Sequence, residues 1–424
     1  MYIENFRVII STLLQKVRCY LMIIREQYMQ QICDFIDKPV IKIITGMRRS
    51  GKSVLLDLTK QELLKRNIPE KNIIMMNFES LRYEDLKDYK ALYKAILTTA
   101  EKLHGKIYIL LDEIQEVANW ETAINSFRVD LDCDIYITGS NAKLLSSELA
   151  TLLAGRYIEI KVYPLTFKEY LQFAAENPEE AKFSRQEHFR NYLRFGGMPG
   201  IHQMKWDAVR IYQYLTDIYN SILLKDVISR NKLRDTALLE RIVLYIMDNI
   251  GNTFSAKTIT DFLKSQGRKL SAETVYNYLQ ALESAFLIYK VNRFDLKGKR
   301  ILETQEKYYL ADLGIRHAIL GYRDNDIAGL LENIVYTELI CRGFDINIGK
   351  QGVTEVDFIA NKRDERIYLQ ICYILTPENT EREFFPLENI NDNYEKLVLT
   401  TDTLLDINRH GIRQKNIIDF LLGE

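Results

Sequence analysis

The sequence has 424 residues, of which 47% are hydrophobic and 27% are charged. Because single domains usually stop growing near roughly 250–300 residues, two or three domains are expected. Lysine and arginine number 57 against 58 aspartate and glutamate residues. This balance argues against a uniformly basic nucleic-acid coat protein and against an acidic tail. The five cysteines have no metal-ligand spacing, which predicts reduced thiols and a cytoplasmic protein.

The N-terminal segment has some features of a targeting sequence. Its apolar run Val8–Leu14 is followed by Lys16 and Arg18, and no small-residue cleavage site follows, which argues against a signal peptide. No other stretch approaches the roughly 18 apolar residues of a membrane-spanning helix, so no membrane association is expected. Residues 1–21 add little to the pattern that begins at Met22. They are interpreted as an N-terminal extension, with translation starting at Met1 or Met22.

Short β-branched runs alternate with helical patterns through residues 22–164. Continuous apolar runs separated by helices indicate a parallel sheet that is covered on both faces. This segment is therefore predicted to form a doubly wound α/β domain. The predicted strands are Val40–Thr45, Ile73–Phe78, Ile107–Leu111, Ile135–Thr138 and Tyr157–Val162.

The remaining chain is predicted to form three further parts. Residues 165–235 are helical, with Gly196–Gly200 as the strong breaker, and they indicate a lid or linker. Residues 236–300 resemble a winged helix-turn-helix, and residues 301–424 a separate small α/β domain. The predicted elements of these last two parts are helices over Ser255–Leu263, Ser271–Ser284 and Gly329–Arg342 and strands over Ile288–Phe294, Tyr308–Ala311, Glu355–Ala360 and Ile367–Tyr373.

A phosphate-binding loop lies between the first predicted strand and the helix after it. Its spacing is the GxxxxGK[ST] pattern, in which backbone N–H groups form an anion-binding nest at a helix N-terminus. Lys52 is expected to reach the β- and γ-phosphates of ATP, and the Ser53 hydroxyl to ligate Mg²⁺. The loop consists of Gly46, Met47, Arg48, Arg49, Ser50, Gly51, Lys52 and Ser53.

Two acids end the apolar strand over Ile107–Leu111. Carboxylates at the end of a buried strand are costly unless they serve a cation or water. Asp112 is therefore expected to hold Mg²⁺, and Glu113 to act as the general base toward the attacking water. The alternative is a surface cap after a core strand.

Polar residues also follow the next two strands. Ser140 and Asn141 are expected to hydrogen-bond the γ-phosphate or the water, although an ordinary turn is the alternative interpretation. Arg156 is a candidate to neutralise charge that develops on the γ-phosphate, in this subunit or a neighbouring one. The alternative is a lone arginine that simply precedes a strand.

These residues, in this order, resemble the AAA+ P-loop ATPases, and more narrowly an archaeal and bacterial family with a C-terminal domain of unknown function. The resemblance covers nearly the whole chain from Met22. It implies an ATPase core, a helical lid and a winged helix, with rings or dimers in which one copy donates an arginine to another. The motifs are GMRRSGKS, LLDEIQ, ITGSNAKLLSSELATLLAGRY, YPLTFKEYL, FGGMPG, LLENIVYTELICRGF and EVDFIA, of which FGGMPG resembles the GxP element of this branch.

The winged-helix segment allows DNA binding or intramolecular packing. Its second motif helix, Ser271–Ser284, offers few cations, and the preceding turn carries Lys264, Arg268 and Lys269. A basic strip suited to phosphate contact follows the strand that begins at Ile288. Both roles stay open at this point, with packing favoured. The strip consists of Lys297, Lys299 and Arg300.

The last domain resembles the restriction-endonuclease fold, in which a helix acid, a strand aspartate and an E-x-K strand hold Mg²⁺. Glu332 or Glu338 matches the helix acid, and Asp357 matches the strand aspartate. Gln370 and Cys372 stand where the glutamate and lysine belong. An amide is a weaker Mg²⁺ ligand than a carboxylate, and a thiol supplies no ammonium. The domain is therefore predicted to be nuclease-like without competent chemistry.

The sequence thus predicts an ATP hydrolase with Mg²⁺ as cofactor. Two other interpretations are an active ATP-dependent DNA nuclease and a slow nucleotide switch. In the switch, ATP occupancy would move the winged helix against the sheet.

Overall fold

The computed structural model describes residues 23–142, 155–267, 270–298, 300–323, 326–352, 354–403 and 407–424. The predicted N-terminal extension, residues 1–21, lies outside the described residues. The chain divides into two compact units. The first comprises the described parts of Met1–Thr45, Gly51–Gly139 and Leu144–Val162, and the second those of Gly46–Ser50, Ser140–Lys143 and Tyr163–Glu424.

The first unit is built on a five-stranded sheet. Its strand order is β2-β3-β4-β1-β5, and the pairs β2–β3, β3–β4 and β4–β1 are parallel. The prediction of a parallel α/β domain is confirmed. The elements are α1 (Glu26–Phe35), β1 (Ile41–Gly46), α2 (Lys52–Lys65), β2 (Ile73–Asn77), α3 (Tyr89–Ala100), β3 (Ile107–Asp112), α4 (Trp120–Asp130), β4 (Cys133–Gly139) and β5 (Tyr157–Val162).

Both faces of this sheet are buried, which explains the continuous apolar runs of its strands. In β3, Ile109 and Leu111 belong to one hydrophobic cluster, with helices α3 and α4, whereas Leu110 belongs to another, with α1 and α2. Successive side chains of a strand point to opposite faces, so a strand covered on both sides needs apolar residues at every position. The carboxyl ends of the parallel strands therefore form one edge, where the polar residues of the sequence motifs lie.

The second unit begins with helices and continues into mixed structure. Two of its early helices start with reciprocal capping boxes, Thr166 with Glu169 and Ser184 with Glu187. Helix α7 passes directly into a π-helical segment, Ile222–Ser229. The helices are α5 (Phe167–Ala175), α6 (Arg185–Phe195), α7 (Ala208–Ser221), α8 (Thr236–Asp248), α9 (Ala256–Ser265), α10 (Ala272–Ser284), α11 (Leu313–Leu320), α12 (Ile327–Cys341), α13 (Thr380–Glu388) and α14 (Ile417–Leu422).

A nine-stranded mixed sheet extends across the predicted boundary between residues 300 and 301. The order is β13-β14-β12-β11-β10-β9-β7-β8-β6, so β7 and β8 belong to the same sheet as the C-terminal strands. Residue 300 begins β8, which pairs with β7, and β7 pairs with β9 in parallel. The strands are β6 (Thr253–Phe254), β7 (Ile288–Asp295), β8 (Arg300–Leu310), β9 (Asp345–Gln351), β10 (Thr354–Lys362), β11 (Glu365–Ile371), β12 (Glu395–Thr400), β13 (Asn408–Arg409) and β14 (Ile412–Asn416).

Over the described ranges, none of the helices combines the length and the apolar character that crossing a membrane requires.

Candidate nucleotide site

The loop between β1 and α2 has the backbone of an anion-binding nest. Gly46 and Gly51 adopt φ of 142° and 104°, conformations that residues with a Cβ rarely adopt. Arg49, between them, has φ of 67°, although it is not glycine. Left-handed residues that alternate with right-handed ones turn successive N–H groups toward one side, where they bind an anion. Helix α2 begins at Lys52, directly after this loop, and adds its N-terminal N–H groups.

Four of the predicted site residues lie together in the first unit. The Lys52 ammonium lies 4.0 Å from Oε1 of Glu113, and both side chains are more than nine-tenths buried. Asp112 precedes Glu113, and its carboxylate accepts a hydrogen bond from the Ser53 side chain. A hydroxyl and a carboxylate oxygen are hard ligands of the kind Mg²⁺ prefers, so this pair fits that cation. The alternative of a surface cap is wrong, since Asp112 is only 1% exposed.

Two residues that the sequence analysis missed orient these acids. Thr138 of β4 donates its hydroxyl to Oδ1 of Asp112 at 2.5 Å and accepts the N–H of Glu113 at 2.9 Å. Asn77, the last residue of β2, donates to Oδ2 of Asp112 at 2.7 Å. Asn77 ends β2 and Thr138 is the last residue but one of β4, and both strands flank β3, so a search near the ends of neighbouring strands would have found them.

The electrostatics of Asp112 favour the arrival of a cation. Burial raises the pKa of its carboxyl above the usual value, and hydrogen bonds from Thr138 and Ser53 oppose this shift only in part. A buried carboxylate whose ionised form is disfavoured gains stability from an added positive charge. Glu113 adopts a left-handed backbone conformation, with φ of 53°. Its carboxylate accepts a hydrogen bond from the side chain of Gln115.

The structure places Ser140 and Asn141 at the carboxyl end of β4, and both are buried. The Ser140 hydroxyl donates to Oδ1 of Asp226 at 3.0 Å, and it accepts from Arg230 at 3.3 Å. Ser140 is therefore held by a side chain of the π-helical segment, which no sequence motif had indicated. The role of Ser140 and Asn141 toward a phosphate stays a prediction.

Arg156 lies away from these residues. Its carbonyl accepts the N–H of Ile41, the first residue of β1, whereas the phosphate loop follows the last residue of that strand. The two ends of six extended residues are roughly 17 Å apart. The side chain is exposed and lies near Arg128, whose pKa is lowered by burial and then by the Arg156 charge. This position does not favour a role toward the nucleotide of the same chain, and a role toward a neighbouring copy stays a prediction.

The Gly-Gly-Met-Pro segment is tied to the start of helix α11. The N–H of Gly197 donates to Oδ2 of Asp312 at 2.7 Å, and Oδ1 accepts the N–H of Ile315. A Cβ on Gly196 would lie 2.4 Å from the same carboxylate, so glycine is required there. Burial raises the pKa of Asp312 to about 6, against these backbone hydrogen bonds. The segment thus connects the helices of the second unit with the part of the chain that follows β8.

A cavity of about 970 Å³ lies beside strands β10 and β11. It is lined by Glu332 and Asp357 of the predicted nuclease-like site and also by Gln370 and Cys372. Glu338, the other candidate for the helix acid, instead pairs with Arg342 at 2.7 Å. The structure therefore places Glu332, one of the two candidates for the helix acid, beside the same cavity as Asp357.

Lys307 of β8, which the sequence analysis missed, is a cation paired with acids that line this cavity. Its ammonium lies 3.0 Å from Glu332, 3.0 Å from Glu355 and 3.9 Å from Asp357. Burial lowers the pKa of Lys307, but the three carboxylates outweigh that effect and hold the pKa above its usual value. Burial and the charge of Glu332 raise the pKa of Asp357. An ammonium group, which Cys372 cannot supply, is thus present near Asp357, but it comes from Lys307 of β8.

The fold and the site define an AAA-type P-loop ATPase domain. Residues 38–171 match the family model described as an AAA domain, and residues 186–326 match a domain of unknown function (DUF8612). One solved structure with a similar fold is the Walker-type ATPase of Pyrococcus abyssi. The match spans 70% of this chain and 95% of that one. Its TM-score of 0.52 at 17% sequence identity shows similarity of fold.

Two relatives extend the similarity over most of the chain. An uncharacterized protein of Haemophilus influenzae is 40% identical over 401 residues, which are 95% of this chain and 99% of that protein. An uncharacterized protein of Methanocaldococcus jannaschii is 31% identical over 81% of this chain and 77% of its own. The chain belongs to the family of these proteins.

Proposed function

We propose that this protein hydrolyses ATP to ADP and phosphate with Mg²⁺ as cofactor. The observation that carries the proposal is the convergence of Lys52, Ser53, Asp112 and Glu113 at the carboxyl edge of the sheet. An anion-binding loop supplies the other half of a phosphate site, and an oxygen ligand pair suits the cation. The AAA domain match supports the same assignment.

In this mechanism the chain acts by positioning and by charge. Lys52 and the loop N–H groups hold the phosphates, while Ser53 and Asp112 hold Mg²⁺, which neutralises phosphate charge when bound. Glu113 orients water and takes its proton as the water oxygen bonds to the γ-phosphorus. The bond between that phosphorus and the bridging oxygen then breaks, and ADP leaves with the electron pair.

Phosphate release from ATP by the full chain tests this proposal, with ADP identified as the second product. Turnover that requires Mg²⁺ supports it, and an absence of nucleotide binding rejects it. A single-turnover measurement separates an enzyme from a slow switch. In a switch, ATP binds tightly, and the lifetime of bound ATP is many times longer than the time that product release takes.

We further propose that helices α8 to α10 with the β7–β8 hairpin form a winged-helix module that serves packing. Helix α10 buries Val275, Tyr278, Leu279 and Leu282 and contains no lysine or arginine. Its exposed positions include Glu273 and Tyr276 and carry no positive charge, so the helix offers no charge-assisted contact to phosphate. The hairpin is also paired with β9 of the large sheet, which supports an internal role.

We therefore expect no measurable binding of duplex DNA at low salt. If the basic strip did bind phosphates, affinity would fall with salt at a log–log slope of roughly −0.9 per contact. A variant with alanine at Lys297, Lys299 and Arg300 would then flatten that slope. Of these three residues, Lys299 lies outside the described residues. A titration at several salt concentrations checks this, with Lys94→Ala plus Lys102→Ala as the control. Salt-sensitive binding that only the strip variant loses would reject the packing role.

We also propose that the C-terminal part is nuclease-like without competent chemistry. Gln370 is hydrogen-bonded to Glu383 at 3.3 Å, and its oxygen lies 3.4 Å from the N–H of Asp357. The Gln370 amide thus occupies the position where a Mg²⁺ site would need an additional strand carboxylate. The Lys307 ammonium already lies among the nearby acids, and a divalent cation would have to compete with it.

The intact protein is accordingly expected not to cleave DNA with Mg²⁺ or Mn²⁺. Incubation of supercoiled plasmid with the full chain measures this. The matched control pair is Asp357→Ala and Asp364→Ala, the second in the exposed turn after β10. Cleavage that survives in Asp364→Ala and disappears in Asp357→Ala would show that the domain is an active nuclease. Some nicking by Gln370→Glu with Cys372→Lys would support the fold assignment.

A further inference from the structure

The carboxylate of Glu113 has a partner at each of its two oxygens. Oε1 lies 4.0 Å from the Lys52 ammonium, and Oε2 accepts a hydrogen bond from the side-chain amide of Gln115. The Glu113 side chain is only 9% exposed, so water competes poorly with these two partners. All three residues belong to the first unit. Gln115, to which the sequence analysis gave no role, therefore helps to fix the direction of the proposed base.

The backbone at Glu113 makes the contact with Gln115 possible. Residues two positions apart do not face each other on a regular helix. Glu113 has φ of 53° and directly precedes the 3₁₀ turn Ile114–Glu116, so the chain bends between the two side chains. A left-handed conformation is unfavourable for a residue with a Cβ and persists only where the surroundings hold it. Thr138 accepts the N–H of Glu113 at 2.9 Å, and Gln115 holds the carboxylate.

The chemistry of Gln115 suits a partner of a general base. An amide donates a hydrogen bond to a carboxylate without adding a charge, whereas a second ammonium would stabilise the ionised carboxylate and make it a weaker base. The carbonyl oxygen of the same amide is buried and accepts no hydrogen bond from the described residues. A buried acceptor without a donor lowers stability. An apolar side chain of similar length would avoid that cost, so packing alone does not account for a glutamine at this position.

We propose that Gln115 is a positioning residue for ATP hydrolysis, which holds the Glu113 carboxylate in the direction from which it takes the proton of the attacking water. The proposal rests on the proposed ATPase function. Proton transfer requires the base to lie within hydrogen-bond reach of the water, and a small displacement of a reacting group slows the reaction strongly. Because Gln115 acts on the base, its loss affects the rate of hydrolysis and spares the binding of ATP.

Gln115→Met tests the proposal, since methionine has a similar length but cannot donate to Glu113. Single-turnover hydrolysis is expected to slow about tenfold, as for the loss of one hydrogen bond to a charged group, while ATP affinity stays within about twofold. Gln115→Glu at pH 8 keeps the shape but places a like charge against Glu113, and it should slow hydrolysis at least as much. Gln30→Met, the same change at an exposed position of α1, is the matched control and should alter neither quantity.

The same change in a Glu113→Gln background separates positioning from a structural role. If Gln115 acts through Glu113, Gln115→Met should slow the double variant no further, because residues that act as one unit are not additive. A further tenfold loss there, or a parallel loss of ATP affinity in Gln115→Met, would overturn the proposal. Wild-type protein without hydrolysis would reject the ATPase proposal and this role with it. Wild-type hydrolysis that Gln115→Met and Gln115→Glu leave unchanged would reject only the role of Gln115.

Discussion

Lys52→Ala is expected to lower the affinity for ATP by a factor on the order of 100 or more. Each hydrogen bond from a charged donor contributes about 1.5–3 kcal/mol, and 1.4 kcal/mol corresponds to a tenfold change. The Lys52 ammonium is 4% exposed and already lies near the Glu113 carboxylate. Alanine leaves the phosphate charge and the Glu113 charge without that cation. Isothermal titration with ATP in Mg²⁺ measures the effect.

Lys65→Ala is the matched control for this variant. Lys65 ends the same helix, α2, and is exposed at its last turn, so its loss changes the net charge equally without touching the loop. ATP affinity should stay within about twofold of the unmodified protein, as expected for a screened surface charge. Equal losses in both variants would indicate a general charge effect. An unaltered affinity in Lys52→Ala would show that the loop does not bind the triphosphate.

The backbone of the candidate phosphate loop was predictable because its residues follow one another in the chain. Gly46 and Gly51 take the left-handed conformations that the motif requires, and Asp112 and Glu113 directly follow an apolar strand. Local sequence also defined the strands of the first unit, with ends that differ by one or two residues. Hydrophobic patterning carries that information, since burial on two faces affects every residue of a strand.

Residues that depend on distant pairing were not predictable from one sequence. Lys307 belongs to β8, yet it pairs with acids of α12 and β10, and nothing near it in the chain identifies it as a site residue. Asp226 is likewise a single acid in an apolar helical stretch, and its partner Arg48 is 178 residues away. The nine-stranded sheet crosses the predicted boundary for the same reason, because β7–β9 pairing adds no signal to either strand alone.

Glu113→Gln is expected to retain ATP binding and to lose turnover by about 10²–10⁴-fold. General base catalysis contributes an effect of that size, and an amide cannot accept the proton of the attacking water. Lys52 and the Ser53–Asp112 pair remain, so the groups proposed to hold phosphate and Mg²⁺ are unaffected. Loss of the Glu113 charge also frees the nearby Lys52 ammonium for phosphate, which should hold ATP affinity at or above its original value.

Paired measurements of affinity and phosphate release distinguish this outcome from a structural defect. Glu116→Gln removes an exposed acid three residues along the same turn and should change neither quantity by more than about twofold. Turnover by Glu113→Gln at the original rate would assign the base to another residue. A parallel fall in affinity and turnover would mean that Glu113 supports the fold of the loop, since a group acting only in the transition state lowers the rate without lowering ground-state binding.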